Sequence, residues 1–181
     1  RVLTSCTPEE YGDVPEEKIP LTEESEINPV NLYAASKAAQ DAVCQAYKAS
    51  YGFEVIRTRA FNHEGPRRDI LGALSSFAYQ IALIERGLQK PIVKVGNLEA
   101  KRNFTDVRDM VKAYYLAMEK GVPGELCLIG SDQIYTIKQC LEMLIALSPM
   151  RDKIKYRVEK ERVRPTELRL LIGKFDKFER L

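Results

Sequence analysis

Short apolar stretches alternate with longer amphipathic ones along this chain, and the alternation predicts strands and helices in turn. Val2–Ser5 is a short apolar run ending in hydroxyl residues, the form of a buried parallel strand whose C-terminal end reaches a site. Acidic, proline-bearing sequence from Asp13 to Pro29 reads as a loop. Residues 32–51 then have the composition and spacing of a helix, stopped by Gly52. Phe53–Arg59 alternates and is β-rich, which predicts a second strand, and Gly65 with Pro66 makes 62–68 a loop. Further on come a helix over 71–86 ended by Gly87, a strand over 91–95 before Gly96, and a helix over 107–120 capped by Asp106 and closed by Gly121. A strand over 126–129 and a helix over 137–147 capped by Thr136 follow. From Ile154 the tail holds a strand-like piece, a loop at Arg164-Pro165 and the apolar run Leu168–Ile172. Strands alternating with helices predict an α/β protein built on a parallel sheet.

Composition narrows the classes. At 45% hydrophobic and 30% charged the chain reads as soluble and globular, and 181 residues suffice for one core or two small lobes. Lys and Arg number 28 against 26 acids, so the net charge of +2 sets up no field that would direct the molecule to nucleic acid or an anionic membrane. An anion site must therefore be local. No apolar run approaches membrane-spanning length. Cys6, Cys44, Cys127 and Cys140 are scattered without metal-type spacing, so they read as reduced, mostly buried thiols of an intracellular protein, and no metal site is expected. Phe77, Tyr79, Tyr114 and Tyr115 sit at helical spacings and read as core or interface packing. A dinucleotide-binding sheet ordinarily begins with a glycine-rich turn at a helix N-terminus, and no G-x-G-x-x-G occurs here. The chain opens at Arg1, as the interior of a longer protein would.

Tyr33 and Lys37 carry the strongest chemical signal. Four residues apart in a helix, they share one face. A tyrosine ionises near pH ~10, and an ammonium beside it favours the phenolate and moves it towards the working range. Such a phenol can take a proton from a hydroxyl, or give one to a carbonyl, while hydride moves to or from a nicotinamide.

The blocks around this pair are Thr4-Ser5-Cys6-Thr7-Pro8-Glu9-Glu10-Tyr11-Gly12, Arg57 to Asn62, Phe61 to Arg68, Val95 to Ala100 running into Arg102-Asn103-Phe104-Thr105-Asp106, and Arg164-Pro165-Thr166-Glu167. Together they resemble the extended short-chain dehydrogenase/reductase family, and within it the GDP-mannose 4,6-dehydratase and GDP-4-keto-6-deoxymannose reductase branch. The resemblance implies the second half of a Rossmann-type parallel sheet plus a small mixed α/β substrate-binding lobe. Residues 1–61 would be the C-terminal half of the Rossmann domain with the catalytic motifs. Residues 62–181 would be mainly the nucleotide-sugar lobe, with about 106–131 returning to the sheet. On this alignment the chain starts near the fifth strand of the Rossmann sheet.

The resemblance also implies roles. Thr7 matches the catalytic Ser/Thr that bonds the reacting sugar oxygen, Tyr33 the acid/base and Lys37 the lysine that also holds the nicotinamide ribose. Glu9 matches the base that drives dehydration, although Pro8 stands where related dehydratases place Asp or Ser. His63 and Arg68 match cofactor contacts. Asn62, Asn97, Arg102, Arg164 and Glu167 match substrate contacts, with Asn97 and Glu99 at the base. Guanidinium forks suit the pyrophosphate. The implied cofactor is NADP, with NAD left open. The implied substrate is a GDP-sugar, the implied assembly a homodimer or tetramer, and the location cytoplasmic, with no nucleic acid or membrane partner. In the family reaction hydride leaves the sugar C4. A dehydratase then loses the C6 hydroxyl, whereas the reductase delivers hydride to a 4-keto sugar. Pro8 and Phe104 to Met110 favour the reductase, and Glu9 is compatible with both. An alternative of another class is a non-catalytic nucleotide-sugar-binding piece, and the 181 residues alone are expected to show no NADPH turnover.

Overall fold

The computed structural model describes residues 1–163 and 166–181. In chain order its elements are β1 (Val2–Cys6), α1 (Leu32–Tyr51), β2 (Val55–Ala60), β3 (His63–Glu64), α2 (Ala73–Glu85), β4 (Ile92–Val95), β5 (Lys101–Asn103), β6 (Thr105–Asp106), α3 (Val107–Lys120), β7 (Leu126–Ile129), β8 (Ile134–Thr136), α4 (Ile137–Ala146), β9 (Lys155–Val158), β10 (Leu170–Leu171) and α5 (Asp176–Glu179).

The first sheet is parallel in the order β1-β2-β7. β2 is buried at every position because it has a strand on each side and a helix over each face. Its odd-numbered residues Arg57 and Arg59 meet Asp41 of α1, while Ile56 and Ala60 pack with Met110 and Ala117 of α3. Such an α/β sheet is what the strand–helix alternation predicts. α1 ends where predicted, because Gly52 takes the left-handed conformation (φ 70°) and its N–H returns to the Lys48 carbonyl. Asp106 and Thr136 cap α3 and α4 through their side chains as predicted, and Thr136 forms a capping box with Gln139.

A second core gathers Phe77, Ile81 and Ile84 of α2, Val93 and Val95 of β4, and Leu141 of α4. β4 pairs with β9 in parallel, and β5 lies between β10 and β8. A third cluster ties the two regions together. Phe61 and Phe175 meet edge to face at 5.1 Å, packed with Tyr11, Leu21 and Leu128.

Several expected boundaries move. α2 begins at Ala73 rather than at residue 71, since Gly72 is the extended N-cap and Leu71 is 82% exposed. Phe53 stays outside β2 and packs its ring against Tyr47. The stretch 13–29 contains a 3-10 turn at Glu16–Lys18, and β3 lies inside the predicted loop 62–68. Tyr79 and Tyr115 are exposed, so of the four aromatics only Phe77 is core, while Tyr114 is half-buried with its hydroxyl 2.8 Å from the Ser5 hydroxyl. Cys6, Cys127 and Cys140 are buried free thiols.

Candidate active site

The parallel register puts the C-terminal ends of β1 and β2 at one edge of the sheet, and the segments leaving them carry the candidate chemistry. Beyond β1, Thr7 caps a 3-10 turn, Pro8–Tyr11, with its hydroxyl accepting from the Glu9 N–H at 3.3 Å. Gly12 closes the turn at φ 71°, where a Cβ would lie 2.0 Å from the Asn28 carbonyl oxygen, so only glycine lets this loop pass.

Neighbouring residues of the turn face different ways. Glu9 accepts from the Asn31 side-chain amide at 3.0 Å, while the Asn31 Oδ1 caps α1 by accepting from the Ala34 N–H at 2.8 Å. Glu10 points inward and is fully buried. Its Oε1 accepts from the Thr7 N–H at 3.0 Å and its Oε2 from Arg59 at 2.9 Å. Arg59 also donates to the Tyr11 hydroxyl and to Asp41, which takes a bidentate pair from Arg57. Two carboxylates and two guanidiniums thus form a buried, charge-balanced network between the turn, α1 and β2. Cys6, Glu10 and Asp41 sit close enough for a metal, but Arg59 already bonds both acids.

Tyr33 stands on the first turn of α1, half-exposed, two residues beyond the Asn31 cap whose side chain holds Glu9 of the Thr7 turn. Desolvation pushes this phenol up from its ordinary value; the Thr7 side chain draws it down, and the charges of Glu9 and Glu10 push it up again. Lys37 does not lower it, which corrects the simple expectation from their spacing. The ammonium turns instead to the Ser5 carbonyl at 3.0 Å and to Gln40 at 3.1 Å, because this face of α1 lies over β1.

Beyond β2, His63 Nδ1 is 2.9 Å from the Phe61 carbonyl, a contact made with Nδ1 as donor. Arg68 donates to the His63 carbonyl at 2.7 Å and pairs with Glu64, so it braces its own loop. Asn62 and Glu167 each hold a buried side-chain oxygen with no partner among the described residues, as does Thr105, which the sequence reading did not single out. Arg102 is pinned by the carbonyls of Lys101, Leu168 and Arg169. Burial pulls it below its ordinary value, and the charges of Glu167 and Glu9 oppose this. Asn97 and Glu99 lie apart from this group, in an open pocket of about 430 Å³ with Lys138, Tyr156 and Val158. Arg164 lies outside the described residues.

Sequence reasoning missed the network and Asn31. One signal was available: Arg57 and Arg59 alternate in a strand expected to be covered on both faces, and buried guanidiniums demand acids.

The family model described as GDP-mannose 4,6 dehydratase matches residues 1–181. GDP-6-deoxy-D-mannose reductase of Pseudomonas aeruginosa is 34% identical over 166 residues, which cover 88% of this chain and 55% of that protein. GDP-mannose 4,6 dehydratase 1 of Arabidopsis thaliana is 28% identical, with 91% of this chain and 44% of that one covered. The solved structure of RMD from Pseudomonas aeruginosa complexed with NADPH superposes with a TM-score of 0.87 at 29% identity, covering 98% of this chain and 58% of that one. The chain spans about half the length of the curated relatives it matches. With the whole chain matched by one family model and its α/β sheet shared with a solved relative, the protein belongs to the GDP-mannose 4,6-dehydratase family.

Proposed function

We propose that the protein carrying this chain is an NADP-dependent enzyme that modifies a GDP-sugar by hydride transfer at the sugar C4, as a GDP-4-keto-6-deoxymannose reductase. The observation that carries the reading is the Glu9–Asn31 hydrogen bond that brings the Thr7 turn against the start of α1, which bears Tyr33, with the Lys37 ammonium over the end of β1. Residues 1–61 serve as the catalytic half-sheet and 62–181 mainly as the nucleotide-sugar lobe, with about 106–131 returning to the sheet.

The chain's own groups divide the work. Thr7 and Tyr33 bond the reacting sugar oxygen, and Tyr33 donates the proton as the carbonyl becomes a hydroxyl. A raised phenol suits this direction, since it keeps the proton until the oxygen becomes basic. Lys37, His63 and Arg68 would hold the cofactor, which supplies the hydride. The fit is partial, since Lys37 has donors to offer a ribose while the glycine-rich phosphate turn is not among these residues. The side-chain oxygens of Asn62 and Glu167, without a partner among the described residues, are acceptors suited to sugar hydroxyls, and Arg102 supplies the fixed positive charge that a pyrophosphate needs. The similarity to the Pseudomonas aeruginosa reductase supports the choice of reaction, and Pro8 leans the same way.

A second reading, dehydration of GDP-mannose, is favoured by Glu9, whose carboxylate is held by Asn31 near Tyr33 and Arg102. Incubating the full-length protein with NADPH and GDP-mannose, and separately with the 4-keto sugar nucleotide, tests both. Gain of two hydrogens by the 4-keto compound supports reduction, and loss of water from GDP-mannose supports dehydration. No change in either mass sinks both.

A further inference from the structure

We infer that Asn31 is a positioning residue that ties the Glu9 carboxylate to the start of α1 and so fixes where the outward acid of the Thr7 turn stands. The inference rests on the proposed reading of the site, in which Glu9 faces the bound sugar. The Asn31 side chain works in two directions. Its Oδ1 accepts from the Ala34 N–H at 2.8 Å and caps α1, while its Nδ2 donates to Glu9 Oε2 at 3.0 Å. These two bonds dictate the orientation of the amide, since a flipped amide would set oxygen against carboxylate and N–H against N–H. The backbone is committed as well. Asn31 is extended at φ −142° and ψ 161°, and its carbonyl accepts from the Ala35 N–H at 3.0 Å.

The segment before α1 is clasped to the turn at a second point, where the Asn28 N–H donates to the Glu10 carbonyl at 2.9 Å. Glu10 is itself held by the Thr7 N–H and by Arg59. Backbone contacts and a buried ion pair thus place the turn, but they leave the Glu9 side chain free to rotate. Its carboxylate has one hydrogen-bond partner among the described residues, the Asn31 amide. A glutamate carries three rotatable bonds, so without that amide the carboxylate would sample several positions. An acid that exchanges a proton with a bound sugar must stay in reach of it, and a misplacement of about 1 Å can cost on the order of 10²-fold in rate. Asn31 supplies the hold from the cap of the helix that bears Tyr33, so both residues are referred to one rigid element.

Asn31→Ser separates the hold from the cap, since it keeps a capping hydroxyl for α1 but is too short to reach Glu9. In D2O without NADPH, Glu9 would take the proton from the carbon beside the ketone of GDP-4-keto-6-deoxymannose, and a deuteron would return to that carbon. This exchange, followed by mass in the full-length protein, should slow about tenfold in kcat in Asn31→Ser, with KM within a few-fold. In a Glu9→Gln background, already slow, adding Asn31→Ser should change the residual rate by less than about twofold, because Asn31 acts through Glu9. An equal loss in both backgrounds, or a loss confined to KM, overturns the inference, as a cap alone would act on the helix whatever stands at residue 9. A second measurement needs no turnover. The Asn31 side-chain amide protons, observed by NMR with labelled asparagine, should lie downfield of free side-chain amides and move back towards them in Glu9→Ala. Signals at the free position in the unaltered protein overturn the positioning role. Displaced signals in a protein that exchanges no deuterium uphold the positioning and rule out Glu9 as a base, whereas failure of the proposed function would show in the product masses, which neither measurement uses.

Discussion

Arg59→Met should be the most damaging single change to stability near the site, and Glu10→Gln should repair part of it. Arg59 and Glu10 are 3% and 0% exposed, so neither charge has water to fall back on. Without Arg59, Asp41 keeps its bidentate pair with Arg57, but Glu10 Oε2 loses the cation that it bonds, with no other against it among the described residues. An unpaired buried carboxylate costs about 3–5 kcal/mol, a large part of the ~5–15 kcal/mol that holds a domain folded. Glu10→Gln alone is milder, about 1–3 kcal/mol, since Arg59 retains Asp41 and the Tyr11 hydroxyl. The double variant restores charge balance around the intact Asp41–Arg57 pair. It should be more stable than Arg59→Met alone, which makes the two changes non-additive by at least about 1 kcal/mol. Urea unfolding of the full-length protein at neutral pH, with slopes compared across all four proteins, gives these values. The reasoning fails if Glu10→Gln costs as much as Arg59→Met, or if the double variant loses the simple sum.

Other outcomes follow from the same geometry. Tyr33→Phe should lower turnover of the 4-keto sugar about 10²–10⁴-fold while equilibrium binding of GDP-sugar stays within a few-fold, measured by steady-state kinetics and calorimetry. Asn31→Asp keeps the α1 cap but replaces the donor to Glu9 with a second carboxylate, so proton exchange at the sugar should slow about tenfold with melting unchanged, whereas Asn31→Ala should also cost about 1 kcal/mol of stability. Burial pushes the Cys6 thiol and the Tyr11 phenol each up to about 12. Both groups hold their protons more tightly folded than unfolded, so their contribution is complete below about pH 9 and is lost as pH rises towards 12. Urea midpoints should fall across that window, less steeply in Cys6→Ala, and a flat profile would contradict the assignment.

The helices were legible because their signals are local. Asp106, Thr136 and Gly52 state where chains of hydrogen bonds begin or end, and the structure uses each as a cap. β3, β5, β6 and β8 were not legible, since runs of two or three residues show no period. They exist through pairings that only the tertiary fold creates, as between Arg102 and Leu171. The candidate site divides the same way. Tyr33 and Lys37 could be named from their types and spacing, and Thr7 from the family resemblance, but spacing along a helix does not say which way a long side chain bends. Lys37 bends to Ser5 because a strand with an open carbonyl lies under that face of α1. Nothing in the sequence separates Glu10 from its neighbour Glu9, and its pairing with Arg59, far along the chain, accompanies its burial.

That difference between adjacent acids bears on which reaction the site can run. In a 3-10 turn neighbouring side chains leave the axis about 120° apart, so residues 9 and 10 cannot both face the substrate. Glu10 is committed inward through two hydrogen bonds, one of them to the backbone of Thr7. That commitment fixes the rotation of the turn and directs Glu9 outward, where Asn31 meets it. Pro8 at the first position of the turn adds a fixed φ and contributes no side-chain donor. Under the proposed function the turn therefore offers one carboxylate and one hydroxyl to a bound sugar, with no second acid of its own to protonate a departing hydroxyl. Hydride delivery to a ketone requires only the phenol and the Thr7 hydroxyl, whereas elimination of water requires a base and an acid together. Replacing Pro8 by Asp would supply the missing acid at the right end of the turn. If the scarcity of acids is what holds the site to reduction, Pro8→Asp should raise water loss from GDP-mannose by an order of magnitude or more while leaving ketone reduction within a few-fold. Equal rates of water loss from the two proteins would show that the choice of reaction lies elsewhere.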